Sequence, residues 1–130
     1  MLDTSVAIPL RESEAVTLGR VAKLGDNLMI SAITRVELEN GVYRDPSLAE
    51  HRRTLLDIML VSLPIIPFDD ECAAMFGKIV AKLGWSRGNT IDRMIAATAI
   101  VSDATLITMN GKDFREIPGL KLLEWKTPEA

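Results

Sequence analysis

The feature that most limits what this chain can fold into is an alternation of short apolar runs and longer segments with helical spacing. "NLMIS", "PIIPF", "ATLITMN" and "LKLLEW" read as strands. The opening "MLDTSV" reads as the end of a very short strand running into a turn, with Thr4 and Ser5 in capping positions. Between them, "ESEAVTLGRVAKLG", "AITRVELENGVYR", "SLAEHRRTLLDIMLVSL", "DDECAAMFGKIVAKLG" and "NTIDRMIAATAIV" have helical periodicity, and "GKDFREIPG" a short helical turn. This order predicts an α/β sandwich with a mainly parallel sheet, in which functional groups gather beyond the carboxyl ends of the strands. Asp3, Ser31 and Asn110 each end a predicted strand. No repeat, low-complexity tract or linker interrupts the pattern, so residues 1–130 are expected to form one domain.

Composition narrows the chemistry. The longest apolar stretch, "IMLVSLPIIPF", is broken by Pro64 and Pro67 and is too short to span a bilayer. The opening carries no basic n-region, so a cytoplasmic protein without membrane association is expected. One cysteine, Cys72, and one histidine, His51, exclude an intrachain disulfide, cysteine-cluster zinc and histidine-based triads. The net charge of −3 argues against nucleic-acid binding by bulk charge. It leaves room for a nuclease whose acids hold cations, with local arginines gripping phosphate.

Asp92 sits at the head of "NTIDRMIAATAIV", where Ile91, Ile95, Thr98 and Ala99 share one side and the alanines let another backbone approach closely. A carboxylate beside a core is costly unless it is paired, hydrogen-bonded or bound to a cation. Asp3 after the first strand and Glu37 after the second stand in comparable positions. Each has an ordinary reading as a helix cap or a first-turn acid. Together they suit a hard divalent cation, which takes oxygen ligands and serves phosphodiester hydrolysis without histidine or cysteine.

"LDTSV", "SAITRVELENGV", "DRMIAATA" and "LITMNGKDF" followed by "IPGLKLLEW" stand in the order found in PIN-domain proteins, and the chain resembles the VapC-type toxins of type II toxin–antitoxin pairs over nearly its whole length. The resemblance implies a PIN-like three-layer α/β/α sandwich and a Mg²⁺- or Mn²⁺-dependent endoribonuclease. Asp3, Glu37 and Asp92 match the metal-binding acids, and Asn110 the fourth position, where many relatives carry aspartate. Asp113 lies close to it in sequence, and Thr4, Ser5, Thr34 and Thr108 are expected to support the acids by hydrogen bonds. Only Met1 and Leu2 precede Asp3, fewer residues than in relatives, so an unusually short first strand is expected. The resemblance also implies an RNA substrate, a small VapB-like antitoxin covering the acidic pocket, and a homodimer.

Arg35, Arg93 and Lys112 are the foremost expected phosphate contacts, with Arg11, Arg44, Arg87 and Arg115 in reserve. The few aromatics form no stacking platform. A haloacid-dehalogenase-like phosphotransferase would need an acid at position 5, which is serine, and no glycine-rich phosphate loop supports a nucleotide-binding domain. The remaining rival is a catalytically weak or silent PIN-fold protein that only binds a partner.

Overall fold

The structure, a computed structural model, describes residues 1–129. Helices α1 (Thr4–Arg11) and α2 (Ala15–Ala22) precede β1 (Ile30–Ser31), α3 (Ala32–Tyr43), α4 (Ala49–Ser62) and β2 (Ile65–Ile66). Then follow α5 (Asp70–Leu83), α6 (Thr90–Val101), β3 (Thr105–Thr108) and β4 (Lys121–Glu124). Strands β1 and β2 pair in parallel, as do β3 and β4. The chain's opening joins the two pairs: the Leu2 amide donates to the Met29 carbonyl at 2.9 Å, and the Ile107 amide donates to the Met1 carbonyl at 2.9 Å. Leu2 bridges Ile107 in parallel, giving the order β2, β1, opening segment, β3, β4.

Successive side chains on a strand point to opposite faces, and here the alternation divides two cores. Leu2, Ile30 and Ile107 face Val6 and Ala7 of α1, Val21 of α2, Leu38 and Val42 of α3 and Leu56 of α4. Met1 and Leu106 face the other way, onto Ile79 of α5, the alanines and Ile95 of α6, Phe114 and Ile117. The sheet is therefore the middle layer of a three-layer α/β/α sandwich. Ala96, Ala97 and Ala99 are fully buried on α6, where their small side chains let α5 lie close alongside. No described helix is long and apolar enough to cross a membrane.

Local signals place most boundaries. The Ser31 hydroxyl accepts from the Thr34 amide at 2.9 Å to start α3, and the Asp69 carboxylate accepts from the Cys72 amide at 3.0 Å to start α5. Gly84, at φ 85°, closes α5 with its amide on the Val80 carbonyl. Three expectations need correction. The turn expected at Thr4 and Ser5 is helix α1, which contains Pro9. A proline there removes one backbone bond and crowds the preceding turn, a cost opposed by the complete burial of Val6 and Ala7. The helix expected from Ser47 begins as a 3₁₀ turn over Pro46–Leu48, capped by the Asp45 carboxylate, and becomes α-helical at Ala49. Ile91, expected on the buried side of α6, is 42% exposed, because the first turn of that helix extends beyond the core.

Candidate metal centre

Asp3 follows the opening segment and is 3% exposed. Its amide donates to the Ile107 carbonyl at 2.9 Å, which fixes the backbone between β1 and β3. Two hydroxyls donate to its Oδ2, Ser5 Oγ at 2.7 Å and Thr108 Oγ1 at 2.8 Å. Each is held in turn by a backbone amide: Met109 N donates to Ser5 Oγ at 3.0 Å and Asn110 N to Thr108 Oγ1 at 2.9 Å. Both hydroxyl bonds land on one carboxylate oxygen. Among the described residues no hydrogen bond occupies Oδ1.

Glu37, on the second turn of α3, accepts a hydrogen bond at Oε1 from the Thr4 hydroxyl. Behind Thr4 the buried Thr34 hydroxyl lies 3.2 Å away, and Ser31 Oγ lies 3.3 Å from Thr34. A hydroxyl has one proton to give. Once Thr4 commits its proton to the carboxylate, Thr4 can accept from Thr34 and Thr34 from Ser31, so the row of hydroxyls donates toward Glu37.

Asp92, in the first turn of α6, is half-buried and has no hydrogen bond among the described residues. A helix N-terminus favours a negative charge, yet this carboxyl is pushed up from 3.8 to about 7. Burial is the largest cause, followed by the charges of Asp3, Asp113 and Glu37. The field at Asp92 thus reports carboxylates from three other segments: the opening, α3 and the 3₁₀ turn Gly111–Asp113 after β3.

Positions 3, 37 and 92, singled out from the sequence, thus lie within electrostatic reach of one another. The fourth acid facing Asp92 is Asp113, while Asn110 is exposed and its side chain caps nothing. Arg93 is 7% exposed and donates through Nη1 to the Gly84 carbonyl at 2.7 Å, which ties it to the end of α5. Arg35 and Lys112 are exposed; Arg35 lies 3.8 Å from Glu39, and Arg115 is paired with Glu124. Arg11, held in reserve by the sequence reading, is buried beside the acids, a placement that depends on α1 being a helix.

The donor set is wholly oxygen, which matches a hard divalent cation and excludes soft-metal ligation. Among the described residues no three histidine, cysteine or acidic side chains are gathered tightly enough to enclose an ion. A Mg²⁺-like ion needs only one or two carboxylates bound directly, with water in its remaining positions.

The sequence profile of the PIN domain matches residues 1–120. Ribonuclease VapC2 of Rickettsia felis is 36% identical over 132 aligned residues, covering 96% of both chains. The tRNA(fMet)-specific endonuclease VapC of Salmonella typhimurium is 29% identical with the same coverage. Among solved structures, VapBC2 of Rickettsia felis bound to a DNA fragment from its promoter superposes with a TM-score of 0.85 at 32% identity, over 97% of this chain and 98% of that one. Members of this family generally depend on a divalent metal. With a sheet joined through Leu2, acids from separate segments around Asp92 and this likeness along its length, the chain belongs to the PIN-domain family, among the VapC ribonucleases.

Proposed function

We propose that the protein is the toxin of a type II toxin–antitoxin pair, an endoribonuclease that hydrolyses RNA phosphodiester bonds at Asp3, Glu37, Asp92 and Asp113 with Mg²⁺ or Mn²⁺. The observation that carries this reading is the field at Asp92: a half-buried carboxyl raised to about 7 by burial and by acids from three other segments. Unpaired negative charges drawn together in a fold are stabilised by a cation. Bound there, the ion would supply electrostatic stabilisation of the phosphodiester's developing charge and lower the pKa of water.

The protein's own groups prepare that site. Ser5 and Thr108 anchor Asp3 through Oδ2 and leave Oδ1 free of protein hydrogen bonds. Thr4 fixes Glu37 and orients its second oxygen. Asp92 and Asp113, entering from α6 and from the turn after β3, complete the negative rim. Exposed Arg35 and Lys112 are suited to phosphate contacts on the approach to the acids, Asn110 to a polar contact with substrate or water. The partner reading, a VapB-like antitoxin, is supported by the VapBC complex that resembles this chain; a second toxin copy rests on the family resemblance alone. An RNA substrate supports a cytoplasmic location.

Cleavage of RNA by the purified protein with Mg²⁺ or Mn²⁺ tests the reading against that of a silent binding protein. Activity is expected to vanish with EDTA and with Glu37→Gln while the circular dichroism spectrum is unchanged. Cleavage that persists in EDTA would overturn the metal assignment, and absence of cleavage with either ion would favour the silent protein.

A further inference from the structure

One buried side-chain nitrogen among the described residues has no partner: Nη1 of Arg11. The Arg11 side chain is 4% exposed. Its Nε and Nη2 donate to Glu12 Oε1 at 3.2 and 2.9 Å, so only part of the guanidinium is satisfied. A buried donor without an acceptor costs about 1–3 kcal/mol, more when charged. Nη1 points toward Gly41, where a Cβ would lie 3.4 Å away.

That corner is a cavity of about 210 Å³ lined by Arg11, Arg44 and Arg52 with Thr4, Glu37, Gly41 and the apolar Ile8. It is large enough for a phosphate group, several times the ~30 Å³ share of one water. Arg44 is exposed and forms no ion pair among the described residues, and Arg52 donates one nitrogen to the Gly41 carbonyl at 3.0 Å. Three arginines thus line the cavity with one carboxylate, Glu37, whose Oε1 is already engaged by Thr4, while Glu12 pairs with Arg11 without lining it. Planar forks of this kind suit phosphate oxygens.

We propose that this arginine-lined cavity is a phosphate subsite that holds the RNA strand next to the bond being cut. The inference rests on the reading of the acids as the place of cleavage. Thr4 and Glu37 belong to both sites, so a strand with one phosphate at the acids carries an adjoining phosphate toward Arg11. The strand would then run from the acidic rim across α1 and the end of α3, and the substrate would be extended and single-stranded at the cut.

Binding of a fluorescein-labelled single-stranded RNA oligonucleotide, followed by anisotropy in EDTA across a salt series, tests the subsite without cleavage. Arg44→Ala, on the exposed rim, and Arg11→Met, which removes the charge while keeping volume, are each expected to weaken binding about tenfold. Each should also lower the slope of log affinity against log salt by about 0.7, the loss of one phosphate contact. An unchanged slope and affinity for Arg44→Ala would overturn the proposal, as would weakening of a protein partner's binding with RNA binding intact. If Arg11→Met fails to fold, Arg44→Ala alone decides. Because the assay contains no metal, failure of the metal reading would show separately, as cleavage that survives Glu37→Gln.

Discussion

Asp3 and Asp92 are the same residue type within the proposed site, and the fold treats them differently. Asp3 is more deeply buried, yet two hydroxyls donate to it, each backed by a main-chain amide. Asp92 is half-buried, faces Asp3, Asp113 and Glu37, and accepts no hydrogen bond among the described residues. The difference shows that burial alone does not make a carboxylate costly; lack of compensation does. In the proposed site Asp3 would be the rigid wall, and Asp92 the position at which a cation gains most.

The largest consequence concerns Asp92. Asp92→Asn keeps the shape and removes the charge, and cleavage is expected to fall at least ~1000-fold, the scale of a lost ligand that stabilises the transition state by several kcal/mol. Single-turnover cleavage with saturating Mg²⁺ measures it; full activity would mean that the two aspartates do not share an ion. On the other side of the comparison, Thr108→Val frees Asp3 Oδ2 from one of its two anchors. Loss of such an orienting bond costs roughly 10–100-fold in metal affinity or activity. A Mn²⁺ titration of Thr108→Val should show weaker binding, partly overcome by more metal, whereas Asp92→Asn should not be rescued.

A smaller contrast separates neighbours. Asp113 contributes to the field at Asp92, while Asn110 is exposed and its side chain caps nothing. Asp113→Asn should reduce cleavage about tenfold or more and Asn110→Ala by less than about threefold, on the scale of one lost charge contact against a surface change. The reverse order would make Asn110 the fourth site residue.

The smallest effect is on stability. The folded protein holds a proton on Asp92 that the unfolded chain has released between pH 3.8 and about 7. Its contribution to stability therefore falls as pH rises through that window, and the ionised group is a burden above it. After discounting for solvent screening, the effect is on the order of 1–2 kcal/mol. In EDTA, Asp92→Asn should raise Tm by roughly 3–8 °C at pH 8 and hardly at pH 4. Added Mg²⁺ should narrow the gap at pH 8 by stabilising the wild type.

Much of this was legible in the amino-acid order, for identifiable reasons. Period-2 and period-3.6 apolarity located the strands and helices, and the side-chain caps at Ser31 and Asp69 marked true helix starts. Asp92 was conspicuous because charge interrupts an apolar run. Helix α1 was not legible, since Pro9 mimics a breaker and only burial of Val6 and Ala7 against the sheet overrides it. With α1 unread, the approach of Arg11 to Gly41 and Glu37 was invisible, because it depends on the packing of α1 on α3. Arg93, adjacent to Asp92 in sequence, stands on a different side of the helix and is turned toward Gly84, a contact the sequence does not show.

Anomalous scattering from crystals of the protein grown with Mn²⁺ is the most direct test of a shared cation. A peak within direct or one-water reach of both Asp3 Oδ1 and the Asp92 carboxylate, absent from crystals of Asp92→Asn, is the predicted result. Manganese bound only elsewhere, or an unchanged peak in the variant, would contradict it.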